Sequence, residues 1–269
     1  MNLWFIFLYQ PLINLLILFY QIFGQNLGLA IIGLTLAIRF ALTPLTAPSM
    51  KAAQKMKELA PQLEKLKKKH KKDKQTLATA QMELYRQNGV NPAAGCLPQI
   101  IQIIILLALF QAFNQVLKPD GDVIAKLNEV LYSPLQLVKG GIIKTRFLYL
   151  NLTQPDILKL PFKILFIDKL PGIFLICSAA IQFFTSKMMM PAAKEATAKA
   201  EKTPQVKDDF SAAMQTQMLY MMPLMTLVIG FKFPSGLVLY WLTFSLYLFI
   251  QQLYLRKNGK NQKNNRRSQ

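Results

Sequence analysis

Apolar residues fall in long uninterrupted blocks along this chain, and charged residues fall in the segments between them. Five blocks approach the roughly 20 residues that cross the hydrocarbon core of a bilayer. They are Leu27–Ala47, Leu97–Leu117, Leu170–Ser186, Gln217–Phe231 and Ser235–Leu255. Their apolar runs are continuous rather than alternating, which favours helices over the strands of a barrel. The pattern therefore predicts an all-α membrane protein with five transmembrane helices, of which the third and fourth are short.

A sixth apolar stretch, residues 3–23, precedes these blocks and either spans the membrane or lies flat in the interface. Gln10, Pro11 and Asn14 interrupt it near its middle. We favour the flat placement, because polar groups and a proline are costly in the middle of a spanning helix. The sequence thus predicts an interfacial helix within residues 1–26.

The distribution of basic residues predicts the orientation of the chain. Of 269 residues, 52% are hydrophobic and 17% charged, and 32 Lys and Arg stand against 13 Asp and Glu, for a net charge of +19. Segments 48–96, 187–216 and 256–269 together hold 22 of the basic residues, whereas loop 118–169 and Lys232 hold nine. Because cytoplasmic loops are enriched in Lys and Arg, we expect the N-terminus and its interfacial helix outside and the C-terminus in the cytoplasm.

The basic segment 48–96 carries Met56, Leu59, Leu63 and Leu66 at helical spacing, and a second short helix follows. It predicts a cytoplasmic helical hairpin, which either docks a partner or anionic lipid headgroups or only fixes topology. The tail 256–269 is basic and polar, and we expect it to be disordered. Ribosome contact through hairpin and tail fits this charge. No nucleic-acid-binding module is visible, so sequence-specific recognition is not expected.

Arg39 lies near the middle of the first block, where an arginine costs about 2.5–3.5 kcal/mol on insertion scales and usually serves a function. All 13 acidic residues lie outside the five blocks, so we expect no intramembrane carboxylate partner. Thr35 and Thr43 extend a polar stripe four residues away on either side. We expect these three residues to line a hydrated cavity. The alternative is that Arg39 snorkels to the interface past a helix that ends at Pro44.

The residues that several classes of function require are absent from this sequence. The absence of Asp, Glu and His from the blocks argues against a proton-driven pump. No phosphate-binding loop, zinc-ligand spacing or nucleophile–base pair is present. Cys96 and Cys177 lie on different elements and His70 lies in a lysine run, so none is expected to serve as a ligand. We therefore expect no enzyme, cofactor or metal. A small-anion transporter or channel using Arg39, and a structural scaffold, stay open.

Three motifs carry a family resemblance over roughly residues 9–257. LAIRFALTPLT contains Arg39, QNGVNPAAGCLPQIIQ opens the second block, and FPSGLVLYWL opens the fifth. In this order and spacing, the chain resembles the YidC/Oxa superfamily of membrane protein insertases. The absence of a cysteine before Cys96 and of a large external domain predicts a minimal five-span bacterial form in the plasma membrane.

The resemblance implies a five-helix core over 27–255 that encloses a groove open to the cytoplasm and the lipid and closed outside. By motif position it implies that Arg39, Gln182 and Trp241 line this substrate groove. It implies an insertase and chaperone for nascent membrane proteins, acting alone or with the Sec translocon, with membrane lipids as further partners.

Overall fold

The computed structural model describes residues 3–70, 73–91, 97–116, 123–138, 140–164, 167–189 and 210–267. A π-helical turn, Phe5–Tyr9, leads into the first helix. The α-helices are α1 (Gln10–Ile22), α2 (Leu27–Glu58), α3 (Ala60–Lys69), α4 (Lys74–Gln87), α5 (Leu97–Val116), α6 (Val123–Asn128), α7 (Ile173–Met189), α8 (Phe210–Gly230) and α9 (Ser235–Arg267). The strands β1 (Arg146–Phe147), β2 (Leu150–Asn151), β3 (Ile157–Ile164) and β4 (Ile167–Pro171) form two antiparallel pairs, β1–β2 and β3–β4. Cys96 lies outside the described residues.

The fold is that of a mostly helical membrane protein. Within the described residues, three helical stretches are long and apolar enough to cross a bilayer: Phe5–Ile22, Leu27–Met56 and Ser235–Leu255. Three shorter apolar helices accompany them: Ile100–Val116, Ile173–Met188 and Leu219–Gly230. The five-span arrangement stays a prediction, because these lengths neither establish it nor exclude it.

The core lies where α1, α2, α5 and α9 meet. Ile13 and Leu16 of α1 are fully buried beside Ile31 of α2, Leu109 of α5 and Leu239 of α9. Burying such a side chain contributes about 1.5–3 kcal/mol. The N-terminal helix is therefore part of the same core as the predicted spans.

The first and last blocks both continue as helix beyond their expected ends, and the alternative in which the first helix ends at Pro44 is wrong. Helix α2 does not end at Pro44, but continues through Pro44 and Pro48 to Glu58. Pro44 leaves the Phe40 carbonyl without its helical N–H donor, and packing against a neighbouring helix helps a membrane helix tolerate such a residue. Helix α9 packs on α2 here, since the Tyr247 hydroxyl lies 2.7 Å from that of Thr43 and the Tyr247 ring meets the Phe40 ring. Helix α9 continues to Arg267, so residues 256–267 are not disordered. Extending an existing helix is much easier than starting one.

The third and fourth blocks are shifted. Leu170 and Pro171 belong to β4, and the third apolar helix begins at Ile173, whereas the fourth begins earlier than expected, at Phe210. Asp156 explains the start of α7, since its carboxylate accepts a hydrogen bond from the backbone N–H of Leu175 at 2.9 Å. A carboxylate at this position satisfies a helix N–H that has no partner within the helix.

The basic segment contains the helices α3 and α4. Leu59 separates α2 from α3. The Asp73 side chain caps α4 by accepting hydrogen bonds from the backbone N–H groups of Gln75 and Thr76, at 3.1 and 3.0 Å. The hydroxyl and backbone hydrogen bonds from Thr76 lower the pKa of Asp73, because they favour the ionised carboxylate.

The segment that joins β2 to β3 holds the start of α9. The Gln154 carbonyl accepts from the Ser235 N–H at 2.7 Å, and the Leu152 carbonyl accepts from the Gly236 N–H at 3.1 Å. The Ser235 hydroxyl donates to the Asn151 carbonyl at 2.9 Å. Together with Asp156, this segment fixes the N-terminal ends of both α7 and α9.

The polar residues that interrupt the N-terminal apolar stretch bind the segment after α6. Asn14 donates to the Val130 carbonyl at 3.1 Å and accepts from the Tyr132 N–H at 2.7 Å. Gln10 also donates to Val130, and Gln21 donates to the Leu135 carbonyl at 3.3 Å. These side chains therefore hold residues 130–135, which end in the 3₁₀ turn Ser133–Leu135, along the length of α1.

Candidate functional site around Arg39

Arg39 is buried between three helices. Its side chain, on α2, is only 8% exposed. The Nη2 group donates a hydrogen bond to the Oε1 atom of Gln102 on α5, while Nε has no hydrogen-bond partner among the described residues. The partner of the guanidinium is thus a neutral amide, and one of its donors is left for another acceptor.

Gln102 is held in one orientation by a second hydrogen bond. Its Nε2 atom donates to the hydroxyl oxygen of Tyr240 on α9 at 2.8 Å, so its carbonyl oxygen must face Arg39. Gln102 and Tyr240 are both buried. The chain of contacts Arg39–Gln102–Tyr240 joins α2, α5 and α9. Buried polar groups need such partners, because an unsatisfied one costs about 1–3 kcal/mol.

An aromatic ring covers the guanidinium. The Cζ atom of Arg39 lies 3.8 Å from the centroid of the Phe244 ring, which is the geometry of a cation–π interaction. The ring of Tyr240 stacks beside that of Phe244, with centroids 6.3 Å apart and planes at 13°. Gln102, Tyr240 and Phe244 therefore enclose the charged group in this conformation.

A second polar contact joins α2 to α9 one turn further along. Thr43 donates its hydroxyl proton to the Arg39 carbonyl at 2.7 Å. The Tyr247 hydroxyl lies 2.7 Å from the same threonine oxygen. Since a hydroxyl carries one proton, Tyr247 is the donor to Thr43. The edge of the Phe40 ring meets Tyr247 at a centroid distance of 5.5 Å.

The other predicted site residues have contacts of their own. Thr35 donates within its own helix, to the Ile31 carbonyl at 2.6 Å. Gln182, on α7, accepts a hydrogen bond from the Thr226 hydroxyl on α8 at 2.7 Å. Trp241 is half-buried, and its ring packs edge-on against Phe233 at 6.5 Å. Within the described residues, neither Gln182 nor Trp241 is hydrogen-bonded to Arg39.

In this conformation the Gln102 amide and the Phe244 ring contact the guanidinium, and the expected hydrated cavity at Arg39 stays a prediction. An apolar cavity of about 330 Å³ lies nearby between α2 and α9. Leu36, Leu246 and Tyr247 are among the residues that line it, and Arg39 is not. We call this packing of Gln102 and Phe244 on Arg39 the closed arrangement.

Sequence reasoning missed three aromatic contributors to the site. Tyr240, Phe244 and Tyr247 follow one another at spacings of four and three residues, which places them on one face of α9. The sequence predicts that these three rings share a helix face, but it does not predict which residue packs against that face. Gln102 was readable only as a polar residue near the start of the second block.

The described part of the chain holds no group of three or more His, Cys, Asp or Glu side chains arranged to bind a metal ion. Cys177 is exposed and free. At Arg39 the structure offers a buried cation whose contacts are with neutral groups, the Gln102 amide and the Phe244 ring.

Comparison with known proteins places the chain in a family. The sequence profile described as 60Kd inner membrane protein matches residues 18–263. A Fusobacterium nucleatum protein named membrane protein insertase YidC is 34% identical over 236 residues, covering 87% of this chain and 88% of the relative. Bacillus anthracis membrane protein insertase YidC 2 is 34% identical over 260 residues, covering 95% and 82%. A Syntrophobacter fumaroxidans protein named membrane protein insertase YidC is 32% identical over 256 residues, and the aligned region covers 39% of that longer relative.

Proposed function

The chain belongs to the 60Kd inner membrane protein family, the YidC/Oxa family, and we propose that it inserts nascent membrane proteins into the lipid bilayer. Relatives that bear the name insertase align over most of this chain. The observation that carries the proposal is the neutral partnership of Arg39, a buried cation bonded to an amide and an aromatic ring. Such a cation is available to an incoming carboxylate, because no acidic side chain among the described residues is bonded to it.

The exchange of partners favours an acidic substrate. A carboxylate binds a guanidinium more strongly than an amide does, because both partners are then charged and its two oxygens can accept two parallel hydrogen bonds. A carboxylate in the polar tail of a nascent span therefore displaces the Gln102 oxygen from Arg39. The Nε donor of Arg39, which lacks a partner here, becomes a second hydrogen bond to that carboxylate. The apolar part of the substrate then moves into lipid, driven by about 25 cal/mol for each Å² removed from water.

The closed arrangement serves as the resting state. Gln102, Tyr240 and Phe244 keep the charge satisfied until a substrate arrives. On opening, α9 moves away from α2, and a hydrophilic groove forms along five spans. Gln182 and Trp241, with Thr35 and Thr43, line that groove in the proposal.

The proposal includes a topology and partners. The N-terminal helix lies in the external interface, which its hydrogen bonds to the 130–135 segment support, and the C-terminus lies in the cytoplasm. The basic hairpin in 48–96 and the basic end of α9 contact the ribosome, and the chain works alone or beside the Sec translocon in a bacterial plasma membrane. The protein acts as a chaperone and insertase rather than as an enzyme.

Reconstitution separates insertion from anion transport, the alternative use of Arg39. Liposomes that contain the purified chain receive a single-span substrate with a short acidic tail, and protease protection of the tail measures insertion. We expect protection in liposomes with the chain and in liposomes with the Arg146→Ala control, since Arg146 is an exposed arginine on β1. Chloride flux measured in the same liposomes should equal that of empty ones. Flux without insertion would contradict the proposal and support the anion channel.

A further inference from the structure

A cavity of about 680 Å³ lies where the N-terminal helix, the last turns of α5 and the short helix α6 meet. It is separate from Arg39. Its lining combines two rings, three side-chain amides and two opposite charges: Tyr9, Phe110, Gln111, Asn114, Gln115, Lys126 and Glu129. A cavity with both signs of charge and several amides suits a zwitterionic ligand rather than an apolar one.

An exposed apolar stripe leads along α5 to this cavity. Ile100, Ile103, Ile104 and Leu107 are all exposed and recur at the spacing of one helix face. Gln111 continues the same face and lines the cavity. From Ile100 to Gln111 the helix rises about 16 Å at 1.5 Å per residue. One leaflet of a hydrocarbon core of about 30 Å is about 15 Å deep, so the stripe matches the length of an acyl chain in one leaflet.

Aromatic residues place the cavity at the level of the headgroups. The indole Nε1 of Trp4 donates to the Oε1 atom of Gln111 at 2.9 Å, and Tyr9 lines the cavity. Trp and Tyr concentrate at the boundary between hydrocarbon and water. Phe7 on the same helical stretch is exposed. The cavity thus combines polar and aromatic groups, and the surfaces that border it are apolar.

We propose that this cavity binds the headgroup of a phospholipid that carries a primary ammonium group, of the phosphoethanolamine type. Lys126 binds the phosphate, and Glu129 accepts hydrogen bonds from the ammonium. One acyl chain lies along the stripe from Leu107 to Ile100. A headgroup with only negative charge leaves Glu129 repelled, and the quaternary ammonium of a choline headgroup has no N–H to donate.

Lipid titration of the purified full chain tests this assignment. The protein in detergent micelles is titrated with phosphatidylethanolamine, phosphatidylcholine or phosphatidylglycerol of identical acyl chains, and the unfolding midpoint is recorded. A ligand that binds the folded state raises this midpoint. We expect phosphatidylethanolamine to reach half its effect at about a tenfold lower concentration than phosphatidylcholine, a difference within the range of one charge-assisted hydrogen bond.

Exposed side chains provide variants that should still fold. Glu129→Gln should abolish the preference for phosphatidylethanolamine over phosphatidylcholine, and Lys126→Gln should weaken the response to all three lipids. Leu107→Ser, on the stripe, should weaken all three responses but keep their order. Lys144→Gln removes an exposed lysine that does not line the cavity and should leave every response unchanged.

Each contrary result is also informative. Equal responses of the unaltered chain to phosphatidylethanolamine and phosphatidylcholine would overturn the proposal, as would an unchanged preference in Glu129→Gln. A stronger response to phosphatidylglycerol would show that the site selects anionic lipids instead. The full shift produced by soluble phosphoethanolamine alone would show that the ligand is a free metabolite and not a lipid.

Discussion

The Arg39 guanidinium lies against the face of the Phe244 ring, 3.8 Å from its centroid. The two side chains come from α2 and α9, which are 205 residues apart in sequence at this contact. The ring offers the cation a favourable electrostatic surface without fixing it as a carboxylate would. Phe244 therefore stabilises the closed state while leaving Arg39 exchangeable.

A double-mutant cycle measures this contact. Arg39→Met, Phe244→Leu and the double variant are compared for their free energy of unfolding in detergent. We expect a coupling energy of about 1 kcal/mol, since cation–π contacts contribute about 0.5–2 kcal/mol. The matched cycle with Phe249→Leu, a half-buried phenylalanine of the same helix, should give no coupling. Equal coupling in both cycles would show that Phe244 contributes only apolar packing.

Gln102 should be more important for stability than its neutral side chain suggests. Gln102→Leu removes the acceptor from Arg39 and the donor to the Tyr240 hydroxyl, which leaves a buried cation without its bonded oxygen. We expect a loss of about 2 kcal/mol in the free energy of unfolding. Gln62→Leu, at an exposed position on α3, is the control and should change little. A Gln102→Leu protein as stable as the control would show that Arg39 does not depend on this amide.

Tyr149 should make the stability of the folded chain depend on pH in the alkaline range. Burial, with a smaller contribution from its hydrogen bond to Asp156 at 2.9 Å, raises the pKa of Tyr149 to about 12. The ordinary value, which applies to the unfolded chain, is about 10. Between these values the unfolded state releases a proton that the folded state keeps. The contribution of Tyr149 to the free energy of unfolding is therefore fully present below pH 10 and is lost as the pH rises toward 12.

Comparison with Tyr149→Phe isolates that contribution from the other alkaline titrations. The unfolding midpoints of both proteins should fall above pH 10, and that of Tyr149→Phe should fall less. The ring contact with Phe174, 5.6 Å between centroids, is retained in the variant. Identical pH profiles would mean that Tyr149 titrates normally.

The sequence predicts the helices well where apolar residues run continuously, as in the second block, which forms α5. It predicts the ends of the elements poorly. The continuation of α2 past Pro44 is not signalled by the sequence, because the residue before a proline ordinarily avoids the helical conformation. The start of α7 depends on Asp156, which has no local sequence signal because it lies 19 residues from Leu175.

The candidate site was predictable in part. The block pattern identifies Arg39 as costly and without an acidic partner, but it cannot show that Gln102 and Phe244 come to rest on it. Gln102 and Phe244 are separated from Arg39 by 63 and 205 positions in the sequence, and only tertiary packing brings these side chains together. Likewise, the family resemblance predicts that Gln182 lines the groove, a prediction that stays open, and its observed partner is Thr226.

The basic end of the chain should act through charge. Deleting residues 256–269 removes six Lys and Arg side chains and should reduce co-sedimentation with ribosomes at low salt several-fold, with the difference disappearing as salt rises. Replacing the same six side chains by Gln, which keeps helix propensity, should have the same effect. If deletion leaves co-sedimentation unchanged, another surface, such as α3 and α4, makes the contact.

The central claim is that Arg39 acts by its charge on an acidic substrate, and exchanging charge on both sides tests it most directly. Arg39→Lys and Arg39→Gln chains are reconstituted, and insertion of two substrates that differ only by Asp or Asn in the translocated tail is measured by protease protection. Arg39→Lys should retain much of the insertion of the Asp substrate. Arg39→Gln should lose most of it, while inserting the Asn substrate as well as the unaltered chain does. Full insertion of the Asp substrate by correctly folded Arg39→Gln would contradict the account.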